Sequence, residues 1–225
     1  MATRFYFVAF AVGGLPPVIP TFQGTWEDAS QGVWRNMTLS KNATTEVISG
    51  VTAGDPGSNT AALGLISPPL TAQTISGTLS ISSRARELAA TDNLNQRYRM
   101  VYLVNSAGTF QDTLLTFATS GTSTELSTTV SAQRHAQTTA FTTQNANDGD
   151  YLVIEYGYGE TTLGSTPAYQ TTLGGSGTDQ TNTDNDTTGQ VPWAEFSQDL
   201  TFQSLTAPSD VINTTSRPLR RLLVR

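Results

Sequence analysis

Two glutamates lie in the most strand-like parts of the sequence, and a pair of carboxylates is what a glycoside hydrolase needs. Glu155 lies within Tyr151–Tyr158, and Glu195 lies within Pro192–Ser197. If both faced one groove, one carboxyl group of raised pKa would be the acid and the other the nucleophile or base. The alternative is two polar residues on half-buried strands, each bonded to a nearby arginine. Because the spacing matches no catalytic motif, the sequence favours the alternative.

The polar segment 174–190 has the alternating acidic pattern with which a calcium loop begins, Asn182-x-Asp184-x-Asp186. Carboxylate and amide oxygens are the hard ligands that Ca²⁺ prefers. However, the glycine of such a loop is displaced to Gly189, and no glutamate closes it. The segment has no apolar residue, so it is predicted to be a solvated surface loop whose Asx side chains form their own turns. We predict no metal site.

Nucleophilic and thiolate chemistry is limited by the side chains that the chain contains. It has no cysteine, and its one histidine, His135, lies in the polar segment Ser131–Gln137. A catalytic histidine needs a nucleophile and an orienting acid, and no Gly-x-Ser-x-Gly motif is present. An exposed loop histidine is therefore expected. The sequence predicts no catalytic residue, no cofactor-binding residue and no cofactor, and hence a protein that is not an enzyme.

The aromatic residues raise a different possibility, a platform that stacks against sugar rings. Tyr158 and Tyr169 lie beside glycines and the long polar loop, so they are the candidates for exposed contacts, and a glycan is the corresponding partner. Large indole rings more often complete a core, because each buries a large apolar area. Packing is expected for all three tryptophans (Trp26, Trp34 and Trp193).

Composition and charge exclude several classes of protein. Charged residues are only 13% of the chain, which argues against coiled coils and charged disordered tails. The net charge is −6, and four of the 12 basic residues lie in the last nine positions, so an acidic body ends in a basic tail. A nucleic-acid binder would show a basic face instead. No apolar run reaches the roughly 18 residues that a membrane helix needs, so neither nucleic acid nor membrane is an expected partner.

Strand patterns recur along the chain, whereas helical periodicity is confined to Arg84–Ala90, which would also fit a strand edge. Apolar and hydroxyl residues alternate over Gln73–Ser82 with a period of two. Gln96–Asn105 is apolar on both faces, as in a central strand, and turns at Ser106–Gly108. Further strands are predicted at Phe110–Ala118, Tyr151–Tyr158 and 196–202, and weaker ones at Arg4–Val12, Gly32–Leu39, Thr45–Ile48, Ala61–Ile66 and Thr138–Phe141. The pattern predicts an all-β, jelly-roll-like, two-sheet antiparallel sandwich.

The two ends of the chain are expected to act as contact arms. We predict an N-terminal strand or arm at 1–20, the sandwich at 21–206 with its polar loop at 174–190, and a basic, apolar arm at 207–225. Arginine forks bind carboxylates, so the basic arm suits the acidic body of a neighbouring copy. The alternative is an arm that folds back onto its own domain. The predicted interface residues are Phe5, Phe7, Phe10, Arg217, Leu219, Arg220, Arg221, Leu222, Leu223 and Arg225.

Four short segments resemble a family of tailed-bacteriophage virion proteins: Met1–Tyr6, Gln73–Gly77, Gly149–Gly157 and Pro192–Ser197. The resemblance spans most of the chain, although no motif in it is chemical. It implies a β-sandwich component of the virion, of the head decoration or cement type, made in the host cytoplasm and placed on the particle surface. The major capsid protein and further copies of this chain are the partners that it implies.

The leading hypothesis from the sequence is therefore a non-enzymatic virion structural protein that bridges capsomers by exchanging arms. The alternative is a tail- or fibre-associated module that binds a carbohydrate or a receptor, with the segment from Tyr158 to Gln190 in contact with the glycan.

Overall fold

The computed structural model describes residues 2–11, 18–52, 58–117, 125–128, 137–160, 167–180 and 190–204. In these ranges the chain is all-β, as the sequence predicts, and contains no helix. The segment with helical periodicity contains a short strand, Ala85–Glu87. The ranges accordingly include no helix that is long and apolar enough to cross a membrane.

Fourteen strands are present in the described ranges. In chain order they are β1 (Thr3–Ala11), β2 (Val33–Thr38), β3 (Thr45–Val51), β4 (Asn59–Ile66), β5 (Gln73–Ile75), β6 (Thr78–Ser82), β7 (Ala85–Glu87), β8 (Leu94–Val104), β9 (Phe110–Thr116), β10 (Gln137–Ala140), β11 (Gln144–Ala146), β12 (Tyr151–Glu160), β13 (Ala168–Gly174) and β14 (Trp193–Phe196).

The strands form three sheets. Nine of them pair in the order β10-β6-β14-β1-β2-β4-β12-β8-β9, three in the order β3-β13-β7, and β11 pairs with β5. All pairs are antiparallel except β2 and β4, which corrects the expectation of a wholly antiparallel fold. The parallel pair arises because β3, between them in sequence, belongs to the three-stranded sheet, and the chain then returns to lie beside β2. This layering is typical of a β-sandwich.

The main core lies between the large sheet and the three-stranded sheet. Phe5 and Phe7 of β1 pack there with Ile48 of β3 and Leu173 of β13. A second apolar cluster, which includes Val153, lies on the opposite, outer face of the large sheet. Because β12 contributes to both clusters, all ten of its residues are buried. This explains why its sequence is apolar on both faces.

Two glycines place turns in the strand pattern. Gly108 has a φ of 73°, a value that glycine tolerates best, and it closes the predicted hairpin between β8 and β9. Gly77 has a φ of 96° and divides the predicted strand Gln73–Ser82 into β5 and β6. The strand predicted over 196–202 does not form: β14 covers Trp193–Phe196, and beyond Phe196 the described residues have only an isolated bridge between Phe202 and Leu70.

The N-terminal segment is a strand inside the large sheet, between β14 and β2. Phe5 and Phe7 are fully buried in the core of their own chain. The expectation that these two side chains contact a neighbouring copy is therefore wrong: their alternation with Arg4 and Tyr6 marks the inner face of a core strand. The side chain of Phe10 lies outside the described residues.

Candidate functional site

The candidate site is built on the outer face of β1 and β14. These strands pair so that Arg4 lies opposite Glu195, and Tyr6 lies opposite Trp193. Because successive side chains of a strand point to opposite faces, the inward Phe5 anchors the strand in the core while Arg4 and Tyr6 point outward. We call Arg4, Tyr6, Lys41, Asp179, Trp193 and Glu195 the Asp179 cluster.

Arg4 joins the two carboxylates of the Asp179 cluster. Its Nε donates a hydrogen bond to Glu195 Oε2 at 2.8 Å, and its Nη2 lies 2.8 Å from the same oxygen. Its Nη1 donates to Asp179 Oδ2 at 2.5 Å. The guanidinium also lies over the ring of Trp193, with Cζ 4.2 Å from the ring centroid, a cation–π arrangement. Arg4 is thus held in one orientation by three neighbours.

Asp179 receives two more groups from other parts of the chain. Lys41 Nζ lies 2.6 Å from Asp179 Oδ1 and donates to the carbonyl oxygen of Gly177 at 2.8 Å. The hydroxyl of Tyr6 donates to Asp179 Oδ2 at 3.2 Å. Lys41 Nζ is also 5.5 Å from the centroid of the Tyr6 ring. These contacts attach the first residues of the polar loop to the face of the large sheet.

The electrostatics of the Asp179 cluster favour its charged forms. Burial raises the pKa of Asp179, but hydrogen bonds and charge interactions with Lys41 and Arg4 outweigh burial, so the pKa is lower than usual. Burial lowers the pKa of Arg4, and the two carboxylates more than reverse this. Burial and then the charge of Asp179 raise the pKa of the Tyr6 hydroxyl. Two cations and two anions therefore balance in a small area.

The cluster retains hydrogen-bonding capacity. The side chains of Arg4, Lys41, Asp179 and Glu195 are each 27–32% exposed. Both contacts that Arg4 makes with Glu195 fall on Oε2, and Oε1 has no partner among the described residues. Lys41 has three N–H groups and uses them on two acceptors. Glu195 Oε1 and the third N–H of Lys41 are therefore left without a described partner, on side chains that are each about a third exposed.

The structure does not bring Glu155 and Glu195 together. They lie on strands four positions apart in the large sheet, which is about 19 Å along the sheet at the usual strand spacing. Glycosidase carboxyl groups lie within roughly 10 Å of each other. Glu195 is bonded to an arginine, as the alternative interpretation expects, whereas Glu155 is not.

Glu155 is fully buried and holds a neighbouring segment of chain on the outer face of the sheet. Its Oε1 accepts hydrogen bonds from the main-chain N–H of Gln23 and the hydroxyl of Tyr102, both at 2.6 Å. Its Oε2 accepts from the N–H of Gly24 and from Trp26 Nε1, both at 2.8 Å. Burial, followed by Glu155, raises the pKa of the Tyr102 hydroxyl far above its ordinary value. This carboxylate has a structural function.

The aromatic residues lie differently from the prediction. Tyr158 and Tyr169 are fully buried and stack on each other with ring centroids 4.2 Å apart, so the expectation of exposed contacts is wrong. Burial also raises the pKa of Tyr169 to about 12. Trp193 is buried, as predicted. Trp26 and Trp34 are only half-buried; Trp34 lies over Gly64, and Trp26 lies close to the main chain of β12.

Several predicted features lie outside the described residues: the calcium-like pattern at Asn182, Asp184 and Asp186, His135, and the predicted interface residues from Arg217 to Arg225. Within the described ranges, no three His, Asp or Glu side chains are placed to hold a metal ion. Arg4, Tyr6 and Lys41 belong to no motif that the sequence displays. The alternation of Arg4 and Tyr6 with phenylalanines indicates that these two side chains lie on the polar face of a strand. Lys41 lies in a turn, where no such pattern exists.

Comparisons with known proteins give matches among solved structures. No family model matches the chain, and no curated protein matches it. Two crystal structures of a CocE/NonD family hydrolase from Staphylococcus aureus are similar, with TM-scores of 0.49 and 0.47 and 6% sequence identity. The similarity covers 87% of this chain and 36% of the hydrolase, so the chain spans about a third of the matched protein.

This comparison contradicts two expectations from the sequence. The chain was expected to be non-enzymatic and to be a structural component of a virion, but the solved structures that it resembles are named as hydrolases, and neither is a phage protein. At 6% identity and TM-scores below 0.5, the likeness assigns neither a family to the chain nor a role to any residue.

Proposed function

We propose that this β-domain binds neutral saccharides at the Asp179 cluster. The observation that carries the proposal is the free Oε1 of Glu195, which lies in the same cluster as the unused N–H capacity of Lys41. A sugar hydroxyl is both a donor and an acceptor, so it can donate to the carboxylate oxygen and accept from the ammonium group. Such charge-assisted hydrogen bonds are about twice as strong as neutral ones.

The balance of charge supports a neutral ligand. Arg4 and Lys41 offset Asp179 and Glu195, so the cluster has no excess charge to attract an ion. The side chains are also held in place before a ligand arrives, since Arg4 contacts both carboxylates and the Trp193 ring. A pre-organised site loses less conformational entropy when it binds its ligand.

The fold also supports a binding role. Four members of the cluster lie on β1 and β14, interior strands of the large sheet, which are a more rigid support than the loops that carry Lys41 and Asp179. We also propose the jelly-roll connectivity for this sandwich, which its short, mostly antiparallel strands and its crossings between sheets support.

The test is a binding screen of the full chain against a panel of neutral and acidic glycans, followed by calorimetry on each hit. Glu195→Gln replaces one carboxylate oxygen with a donor, and we expect it to weaken binding at least tenfold. Glu46→Gln is the matched control. It alters another arginine–glutamate pair, Arg35–Glu46, outside the cluster, and should leave the affinity unchanged.

Failure to bind any neutral glycan, or equal affinities of Glu195→Gln and the original chain, would contradict the proposal. The mixtures of chain and glycan should also be analysed for newly formed reducing ends, because these would show that a bound saccharide is cleaved.

A further inference from the structure

Strand β3 is an unprotected sheet edge. It pairs with β13 on one side and with no described strand on the other. Its outward side chains are Thr45, Val47, Ser49 and Val51, and Val47 is 55% exposed. The strand contains no proline or lysine, the residues that commonly protect an edge. Its one charged residue, Glu46, is bonded to Arg35.

The alternation of an antiparallel ladder identifies the free main-chain groups. Thr52 N–H donates to the carbonyl of Pro167, so even-numbered residues of β3 direct their main-chain groups toward β13. The main-chain groups of Thr45, Val47 and Ser49 therefore point away from the sheet, and among the described residues they have no partner. The N–H of Val51 also points outward, but it donates to Gln31 Oε1 at 3.0 Å.

We propose that β3 pairs with β3 of a second copy of this chain, antiparallel and centred on Val47. This register uses only the free main-chain groups and leaves the hydrogen bond between Val51 and Gln31 intact. It places Val47 opposite the Val47 of the second copy, and Thr45 opposite Ser49. A centre on Ser49 would instead require Val51 to release Gln31. The result is a continuous six-stranded sheet with twofold symmetry.

The side chains along this edge are complementary to their own copy in that register. Two half-exposed valines face each other, and a threonine faces a serine, both of which are favourable cross-strand pairs. Glu46 faces Ile48 of the other copy, so no like charges oppose each other. A twofold interface needs a surface that complements itself in this way.

The experiment uses single cysteines in the full chain, which has none of its own. In the proposed register the Cα atoms of Val47→Cys and its copy are about 5.5 Å apart, within disulfide range. For Ser49→Cys the two positions are about 14 Å apart, too far for a bond. Val18→Cys is the matched control for random collision, since Val18 is also 55% exposed.

Under mild oxidation we expect Val47→Cys to form covalent dimers at least tenfold faster than the other two variants. Equal rates for all three would overturn the proposal, and faster dimers of Ser49→Cys would overturn its register. Sedimentation of the chain without cysteine should show a monomer–dimer equilibrium, weakened at least tenfold by Val47→Lys and unchanged by Val18→Lys. A chain that stays monomeric at high concentration would also overturn it.

Discussion

Replacing Glu155 with glutamine tests the structural function of the buried carboxylate. The carboxylate accepts four hydrogen bonds, two on each oxygen, from Gln23, Gly24, Trp26 and Tyr102. Glutamine has the same shape, but it offers one oxygen and one NH₂ group. Two of the four donors would therefore face another donor.

The magnitude follows from those two lost contacts. A hydrogen bond to a charged group contributes about 1.5–3 kcal/mol, so losing two costs about 3–6 kcal/mol. Part of this is offset because the variant no longer buries a charge. We expect a net loss of about 2–4 kcal/mol in the free energy of unfolding. A domain of ordinary stability, about 5–15 kcal/mol, would remain folded.

The assay is urea unfolding followed by tryptophan fluorescence, with Glu195→Gln as the control. Glu195 forms a partly exposed ion pair that solvent still screens, so its replacement should cost about 1 kcal/mol, less than the replacement of Glu155. Hydrogen exchange gives a local readout: the amides of Gln23 and Gly24 bind different oxygens, so the one that faces the new NH₂ group should lose protection in Glu155→Gln. A loss below about 1 kcal/mol with unchanged protection of both amides would refute the reasoning.

Three further predictions follow from the described contacts. The pKa of Asp179 is lower in the folded chain than in the unfolded chain, where it is near 4, so the ionised carboxylate stabilises the fold. This stabilisation is lost as the pH falls through the pKa of the folded chain. The melting temperature of Asp179→Asn should therefore depend less on pH, between about pH 5 and 2, than that of the original chain. Burial, and then nearby carboxylates, raise the pKa of Glu87, although its carboxylate accepts a hydrogen bond from the Leu94 amide. Ionised Glu87 therefore destabilises the fold as the pH rises above about 4.5. Glu87→Gln should raise the melting temperature at pH 7 and leave it unchanged at pH 3. Gly64→Ala should cost about 1–3 kcal/mol in urea unfolding, because the new Cβ would lie 2.2 Å from the Trp34 ring; no loss would mean that the ring moves freely.

Strand positions were largely readable from the sequence, because local patterns reflect burial on one face or both. The apolar run Tyr151–Tyr158 became the buried strand β12, and the turn at Gly108 closed the hairpin after β8. The alternation over Gln73–Ser82 also marked the inward side chains correctly, although Gly77 interrupts the strand. The strand predicted over 196–202 did not form, because side-chain alternation does not ensure a continuous ladder; the segment makes only an isolated bridge, between Phe202 and Leu70.

The candidate site was less readable, because its members come from distant parts of the chain. Arg4 and Asp179 are 175 positions apart and meet only because β1 pairs with β14 beside the start of the polar loop. Tyr158 and Tyr169 illustrate the opposite error. Neighbouring glycines suggested exposure, but the two rings stack between strands in the interior.

The all-β class, the acidic body with a basic tail, and most of the strands follow from the residues alone, since composition and a period of two are local properties. Which strands became neighbours followed only from the folding of the whole chain. That choice buried Phe5 and Phe7, placed Glu155 among four donors, and brought Arg4, Lys41 and Asp179 together. The physical reason is that strand pairing depends on contacts between residues far apart in sequence, which no local pattern specifies.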